Sequence, residues 1–298
     1  MLAAEQAGFS PTGEFTQLNS YENRVYDLRL EQNQRVISKF YRPGRWSDKQ
    51  ILEEHQFLQQ LHGEGLFVVT PASYRGQTLF HVQDMWAAFF PRIAGRLPQE
   101  LFPEDLRKVG RLLARIHNIG RQSDFQYRPS MHEDSVSIYS HLETVQKMVW
   151  PDIWNRYESA ALQIAEVLED KLQDVDFQRI HGDAHRGNLL HSGEEFFMVD
   201  FDDAIQGPIV QDFWMLLAEP SKDCPDLQYL LEAYQELADF PMQQLDLIPW
   251  LRAYRIISYS AWIAKRWQDP SFPRTFPLFQ TYNYWAQECD MLERILWA

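Results

Sequence analysis

The stretch Ile180-His181-Gly182-Asp183-Ala184-His185-Arg186-Gly187-Asn188-Leu189-Leu190, followed by Phe197-Met198-Val199-Asp200-Phe201, constrains this chain more than any other. It places Asn188 five residues after Asp183, and Asp200 directly after an apolar run. Carboxylate and amide oxygens are the ligands that Mg²⁺ prefers, and a carboxylate can accept the proton of an attacking hydroxyl. We therefore expect Asp183 to act as a base, and Asn188 and Asp200 to bind magnesium.

The neighbouring carboxylates leave an alternative open. Asp202 is a second candidate for the metal ligand, and Asp203 is expected to be a cap or turn residue. Asp200 is favoured because it directly follows the predicted buried strand at 196–199. A lone aspartate in a loop is usually a turn residue, but the spacing of Asp183 and Asn188 matches the catalytic loop H-R-D-x-x-x-x-N of protein kinases, with glycine in place of its arginine.

The first ninety residues are predicted to form strands around one helix. Apolar and polar residues alternate over 23–30 and again over 35–41, which predicts a hairpin. Ser47 and Gln50 have the spacing of a capping box, and the helix that follows extends through Leu61. Two more strands are expected at 77–83 and 86–90.

Two charged residues in this region occupy positions that suit apolar ones. Lys39 lies in a strand rich in apolar residues, where a lysine that extends to solvent is the simpler interpretation. Glu54 falls within the apolar stripe of the predicted helix, and a carboxylate there requires a partner. In the functional interpretation, Lys39 contacts the phosphates of ATP and pairs with Glu54.

From Pro91 onward the pattern is largely helical. We expect a strand at 177–180 and helices at the following positions: 106–116, 153–171, 212–217, 226–238, 245–267 and 282–296. The sequence therefore predicts an α+β fold, with one domain at 1–90 that binds the nucleotide and one at 91–298 that holds the catalytic loop, the metal and the acceptor.

The composition limits the classes of function. With 28 basic and 42 acidic side chains the net charge is −14, which disfavours nucleic acid as a partner. The two cysteines are far apart and without metal-ligand spacing, which is typical of a reducing cytoplasm. No apolar run is long enough to cross a membrane, and the first residues do not have the pattern of a secretory signal.

The motif H-G-D-x-H-x-G-N at 181–188 resembles the catalytic loop of the aminoglycoside/choline-kinase-like branch of the protein-kinase superfamily, and Val199-Asp200-Phe201 resembles its metal-binding segment. Motifs at 20–26, 39–43, 51–57 and 266–273 are similar to those of bacterial stress response kinases within that branch. The resemblance implies a bilobal kinase fold and a cytoplasmic serine/threonine protein kinase that uses ATP and Mg²⁺ and promotes survival under stress. We also expect the protein to act as a monomer. It also implies that Ser20 contributes to ATP binding.

The chain departs from protein kinases in ways that leave the acceptor open. No G-x-G-x-x-G precedes Lys39, so residues 20–23 are expected to hold phosphates with backbone N–H groups and polar side chains. No A-P-E segment or long activation loop follows Asp200. The same catalytic residues would serve a small-molecule kinase acting on an aminoglycoside, choline, homoserine or a sugar. A nucleotide-binding scaffold without activity is a third hypothesis, which the intact set of polar residues disfavours.

Overall fold

The computed structural model describes residues 1–18 and 20–297, with the side chains of 134–136 left aside. The strands are β1 (Pro11–Leu18), β2 (Arg24–Leu30), β3 (Arg35–Phe40), β4 (Phe80–Val82), β5 (Met85–Pro91), β6 (Gln178–Ile180), β7 (Leu189–Ser192), β8 (Glu195–Met198) and β9 (Ile205–Gly207). The helices are α1 (Leu2–Gln6), α2 (Asp48–Gly63), α3 (Pro103–Gly120), α4 (Asp134–Val145), α5 (Pro151–Leu172), α6 (Gln211–Trp214), α7 (Pro225–Gln235), α8 (Ile248–Lys265), α9 (Ser271–Thr275) and α10 (Tyr282–Leu296).

The chain divides into two compact units, each made of separate segments. Unit 1 contains residues 1–128, 178–205 and 228–240, and unit 2 contains residues 129–177, 206–227 and 241–298. The predicted α+β class is confirmed. Unit 1 brings the sheet together with the loop that holds Asp183, although the two lie far apart in sequence. The predicted division into 1–90 and 91–298 stays a prediction.

The sheet of unit 1 is antiparallel, with strand order β1-β2-β3-β5-β4. One face packs on α1 through Leu28, Val36 and Phe89. The other face carries Lys39 and a small apolar cluster that includes Ile51 of α2. Because side chains alternate along a strand, Lys39 and Val36 point to opposite faces, and the lysine is directed to the side of α2.

Helix α2 begins as the sequence predicts. Ser47 is the N-cap, its hydroxyl accepts from the backbone N–H of Gln50, and the Gln50 side chain accepts from the backbone N–H of Ser47. Satisfying these first N–H groups fixes where the helix starts. Its buried stripe contains Glu54 together with apolar residues: Ile51, Phe57, Leu58 and Leu61.

Close backbone contacts join the other parts of unit 1. A side chain at Gly110 of α3 would overlap the carbonyl oxygen of Leu230 in α7, and one at Gly120 would overlap that of Arg179. The two glycines therefore allow α3 to pack directly against neighbouring backbone.

Unit 2 has an interior of packed helices. Its buried residues come mainly from α5, α8 and α10, with Trp285 packed edge-on against Tyr157 at a ring distance of 5.6 Å. None of the helices that the structure describes has the length and hydropathy needed to cross a bilayer.

Several predicted boundaries were wrong. The helix expected at 212–217 ends at Trp214, and the one expected from 245 begins at Ile248 after a 3₁₀ turn. Pro249 lies in the first turn of α8, a position that proline favours because its missing N–H is not needed there. The sequence also gave no sign of α1, β1 or α4. β1 is almost entirely exposed, so it lacks the apolar alternation that identifies a strand.

Candidate active site

Gly182 explains why the catalytic-looking loop has no arginine before its aspartate. Its φ is +81°, a conformation that glycine adopts without strain. A Cβ atom at this position would overlap the carbonyl oxygen of Asp203. The loop that carries Asp183 therefore lies directly against the backbone that follows Asp200.

His181 holds this loop in place. Its ring nitrogen Nδ1 accepts from the backbone N–H of Asp183 at 3.2 Å, so Nε2 carries the proton and donates to the carbonyl of Val199 at 2.9 Å. The ring also packs on Phe201 with centroids 4.5 Å apart. His181 therefore orients the loop that carries Asp183.

Asn188 lies beside Asp183, as the spacing predicts. The Asn188 side chain donates from Nδ2 to the carbonyl oxygen of Asp183 at 2.9 Å. Because the nitrogen is engaged there, the amide presents its oxygen as the group that can bind a cation. The Asp183 side chain is 19% exposed, and its Oδ2 lies 3.4 Å from Nε2 of His185.

Asp200 follows the hairpin of β7 and β8 and has a left-handed backbone, with φ 62° and ψ 64°. Aspartate tolerates this conformation better than most residues. The side chain is 51% exposed, whereas those of Lys39 and Asp202 are almost fully buried. An accessible carboxylate beside Asn188 suits a magnesium ion, which keeps several waters and phosphate oxygens among its ligands. Within residues 1–18 and 20–297, no group of three or more His, Cys, Asp or Glu side chains is arranged to hold a metal ion.

Lys39 is buried among three carboxylates. Its Nζ lies 3.0 Å from Asp200, 3.0 Å from Asp202 and 3.7 Å from Glu54. Burial alone would lower the pKa of Lys39, but the nearby carboxylates outweigh it and hold the pKa well above its ordinary value. The lysine is therefore charged at every physiological pH.

Glu54 is the partner that the helix periodicity required. Burial raises the pKa of its carboxyl to about 7, against the opposing effect of Lys39 and Arg128. Arg128 approaches the second oxygen of this carboxylate at 3.4 Å. One carboxylate thus lies between two buried cations.

Asp202 differs from Asp200 in being almost fully buried, with 3% of its side chain exposed. It pairs with Lys39 and Arg45, and it accepts from the Asn23 amide at 3.1 Å. Burial alone would raise the pKa of this carboxyl, but the two cations lower it below its ordinary range. The second candidate for a metal ligand is therefore committed to ion pairs within the protein.

The loop expected to contact phosphates is held by side chains where a kinase would have glycines. The hydroxyl of Ser20 accepts from the backbone N–H of Asn23 at 3.3 Å. The Arg42 guanidinium donates to the backbone carbonyls of Tyr21 and Glu22. The backbone N–H of Arg42 donates to the side-chain oxygen of Asn23. Polar side chains therefore fix the conformation of this loop, while its contact with phosphates stays a prediction.

Two residues of this site escaped sequence reasoning: Arg45 and Arg128. Arg45 follows Pro43-Gly44 and binds both Asp202 and Asp203. Asn23 was expected in the phosphate loop, but its bond to Asp202 was not foreseen. No local pattern identifies Arg128, because all of its partners lie far away in sequence.

A family model described as "Phosphotransferase enzyme family" matches residues 14–248. The chain is 37% identical to "Stress response kinase A" of Escherichia coli (strain K12), over 97% of this chain and 88% of that protein. It is also 37% identical, with the same coverage, to "Serine/threonine protein kinase RdoA" of Salmonella typhimurium.

Solved structures share the fold at lower identity. An amicoumacin kinase in complex with AMP-PNP, Ca²⁺ and its substrate has a TM-score of 0.74 at 20% identity, over 96% of this chain and 93% of that one. A spectinomycin phosphotransferase in complex with ADP and spectinomycin has a TM-score of 0.63 at 16% identity, with the same coverage.

Proposed function

Because this chain belongs to the phosphotransferase enzyme family, we propose that it is a Mg²⁺-dependent kinase that transfers the γ-phosphoryl group of ATP to serine or threonine hydroxyls of protein. We further propose that it acts as a monomer in the cytoplasm and promotes survival under stress. The names of its 37%-identical relatives support the serine/threonine acceptor and the role under stress.

One observation carries the phosphotransferase chemistry. The Lys39 ammonium lies between Glu54 and Asp200, in the same compact unit as the Asp183 loop. A buried lysine fixed by carboxylates is suited to neutralise phosphate charge. Removing these charges from water destabilises the folded state, which is not expected of a protein that serves only as a scaffold.

Asp183 is the proposed base. Its backbone is fixed by His181 and its carbonyl by Asn188, while its carboxylate stays partly accessible. It would orient the attacking hydroxyl and accept its proton as the phosphoryl group is transferred.

Asn188 and Asp200 are the proposed magnesium ligands, through the amide oxygen and the exposed carboxylate. When bound, the ion supplies positive charge to the phosphate oxygens during transfer. Lys39 would have to exchange part of its contact with Asp200 for a phosphate oxygen. Ser20 and the loop fixed by Arg42 would contact the phosphates from the other side.

The acceptor is the part of the proposal that geometry supports least. The alternative is a small-molecule kinase, because the amicoumacin and spectinomycin enzymes share the fold. At 20% identity or less they bear on the fold alone, whereas the relatives named as stress response and serine/threonine kinases match nearly the whole chain. We therefore favour a protein acceptor.

The test is transfer of label from γ-³²P ATP in the presence of Mg²⁺ and a cell extract separated into protein and small-molecule fractions. We expect label on phosphoserine or phosphothreonine of protein after acid hydrolysis, and none with Asp200→Asn enzyme. Label only in the small-molecule fraction would establish the alternative, and no transfer to any fraction would contradict the kinase proposal.

A further inference from the structure

Arg128 has the most completely buried charged side chain near the candidate site, with none of its surface exposed. It lies in unit 1, in the segment after α3. Sequence reasoning gave it no role. A guanidinium needs partners for five N–H groups when it is removed from water, so its contacts identify what it organises.

One side of the guanidinium binds the backbone that follows Asp200. Its Nη1 donates to the carbonyl oxygens of Asp202 at 3.0 Å and Ala204 at 2.8 Å, and its Nη2 donates to the same Asp202 oxygen at 3.0 Å. These bonds hold the turn at 201–204 in place, and with it Asp200, the residue that precedes the turn.

The other side binds helix α2. The Nε atom donates to the carbonyl of Gln50 at 3.1 Å, and Nη2 lies 3.4 Å from the Glu54 carboxylate. The guanidinium also packs over the ring of Trp46 at 4.8 Å. Arg128 therefore joins the helix that positions Lys39 to the turn that positions Asp200.

Helix α2 is fastened to this segment a second time. The Glu53 carboxylate accepts from the backbone N–H groups of Gln126, Tyr127 and Arg128. The backbone that carries Arg128 is thus fixed to α2 independently of the guanidinium, so the side chain projects from a rigid support.

We propose that Arg128 is a positioning residue for the metal site, which fixes Asp200 relative to Glu54 and Lys39 by holding the 201–204 turn against α2. The planar fork of a guanidinium can bind both sides at once, whereas a single ammonium cannot. The inference rests on the proposed function of Asp200. In this proposal, the contacts of Arg128 set the distance between Lys39 and Asp200.

The experiment compares Arg128→Met and Arg128→Lys with Arg179→Met. Arg179 is a matched control in the same unit, because it is also buried and binds backbone carbonyls, those of Ile119 and Gly120. It contacts α2 through Phe57 and Gln60, but it makes none of the bonds that Arg128 makes to Glu54 and to the 201–204 turn. Binding of Mn²⁺ is measured by electron paramagnetic resonance with AMP-PNP present, together with thermal unfolding and the Mg²⁺ dependence of ATP turnover.

We expect Arg128→Met to weaken Mn²⁺ binding by about 10- to 100-fold, the effect typical of a residue that orients a metal ligand. Arg128→Lys, the smaller change, should stay folded and bind Mn²⁺ more weakly than wild type. Arg179→Met should lower the unfolding temperature and leave Mn²⁺ binding unchanged.

Mn²⁺ binding by both Arg128 variants equal to that of Arg179→Met and wild type would overturn the inference while leaving the proposed function standing. Failure of the wild-type protein itself to bind Mn²⁺ with AMP-PNP and to turn over ATP would instead refute the proposed function.

Discussion

Four carboxylates of the candidate site form two pairs that differ in exposure. Asp183 and Asp200 keep 19% and 51% of their side chains exposed. Glu54 and Asp202 are almost fully buried, and each is paired with two cations. Burial without pairing would be prohibitively unfavourable for a charge, so the buried group depends on its partners in a way that the exposed group does not.

The difference separates two functions within one site. The exposed carboxylates can reach a hydroxyl or a metal, so removing one should cost activity with little effect on stability. The buried carboxylates hold Lys39, Arg45 and Arg128, so removing one leaves cations unpaired. Substitutions of the exposed and the buried carboxylates should therefore differ in whether activity or stability is lost.

Asp183→Asn should have a large effect on turnover. The loss of the proposed base is expected to reduce turnover by about 10²- to 10⁴-fold, while the thermal unfolding temperature stays near that of wild type. Steady-state phosphate transfer and scanning calorimetry on the same preparation measure both. A large fall in stability with the activity per folded molecule preserved would reverse the assignment.

Asp202→Asn should instead lower stability. The amide leaves Lys39 and Arg45 without part of their counter-charge, and breaking a buried pair costs about 3–5 kcal/mol in the free energy of unfolding. Urea denaturation measures this cost. Exposed Asp200→Asn is the control with the same change in charge and shape. Equal free energies of unfolding for Asp202→Asn and Asp200→Asn would contradict the proposed difference between buried and exposed carboxylates.

Glu54 should give the activity an acid limb near pH 7. Its pKa in the folded protein is raised to about 7, first by burial, and its ordinary value is near 4.5. The native state therefore takes up a proton over this window that the unfolded chain has released, so this group's contribution to stability decreases as pH rises from about 4.5 to 7.

Only above the window is Glu54 charged and able to pair with Lys39. We expect kcat/KM for ATP to rise with a midpoint near pH 7, and Glu54→Gln to be less active and to lack this limb. If Glu54→Gln keeps the same acid limb, the limb arises from the titration of another group.

Glu288 of α10 provides the smallest and sharpest contrast. Burial raises its pKa to about 7, against a hydrogen bond with Ser260, and it belongs to unit 2, whereas the residues assigned to chemistry belong to unit 1. Glu288→Gln should stabilise the protein above pH 7 by about 1–3 kcal/mol, with turnover unchanged. Reduced turnover of Glu288→Gln at unchanged stability would show that Glu288 takes part in the reaction.

The sequence predicted those features of the site that follow from local periodicity. The capping box placed α2, the helical stripe singled out Glu54, and the offset from Asp183 to Asn188 placed both in one loop. The contacts of Lys39 with Asp200 and of Arg128 with the 201–204 turn join residues 161 and 73–76 positions apart. Such pairs are set by tertiary packing, which no pattern in a single sequence records.

The same limit explains the errors in the fold. α1 is five residues long and β1 is nearly all exposed, so neither carries an apolar repeat. Gly182 could be noted as a departure from the kinase loop, but the reason for it, the carbonyl of Asp203 lying against it, belongs to the folded chain.

The central claim is that the exposed carboxylate binds the metal and the buried one braces the site. Its most direct test is the binding of Mn²⁺ in the presence of AMP-PNP, measured by electron paramagnetic resonance for Asp200→Asn and Asp202→Asn at a temperature where both are folded. The account predicts that Asp200→Asn abolishes binding, whereas Asp202→Asn retains a site. Retained binding in Asp200→Asn together with its loss in Asp202→Asn would contradict it.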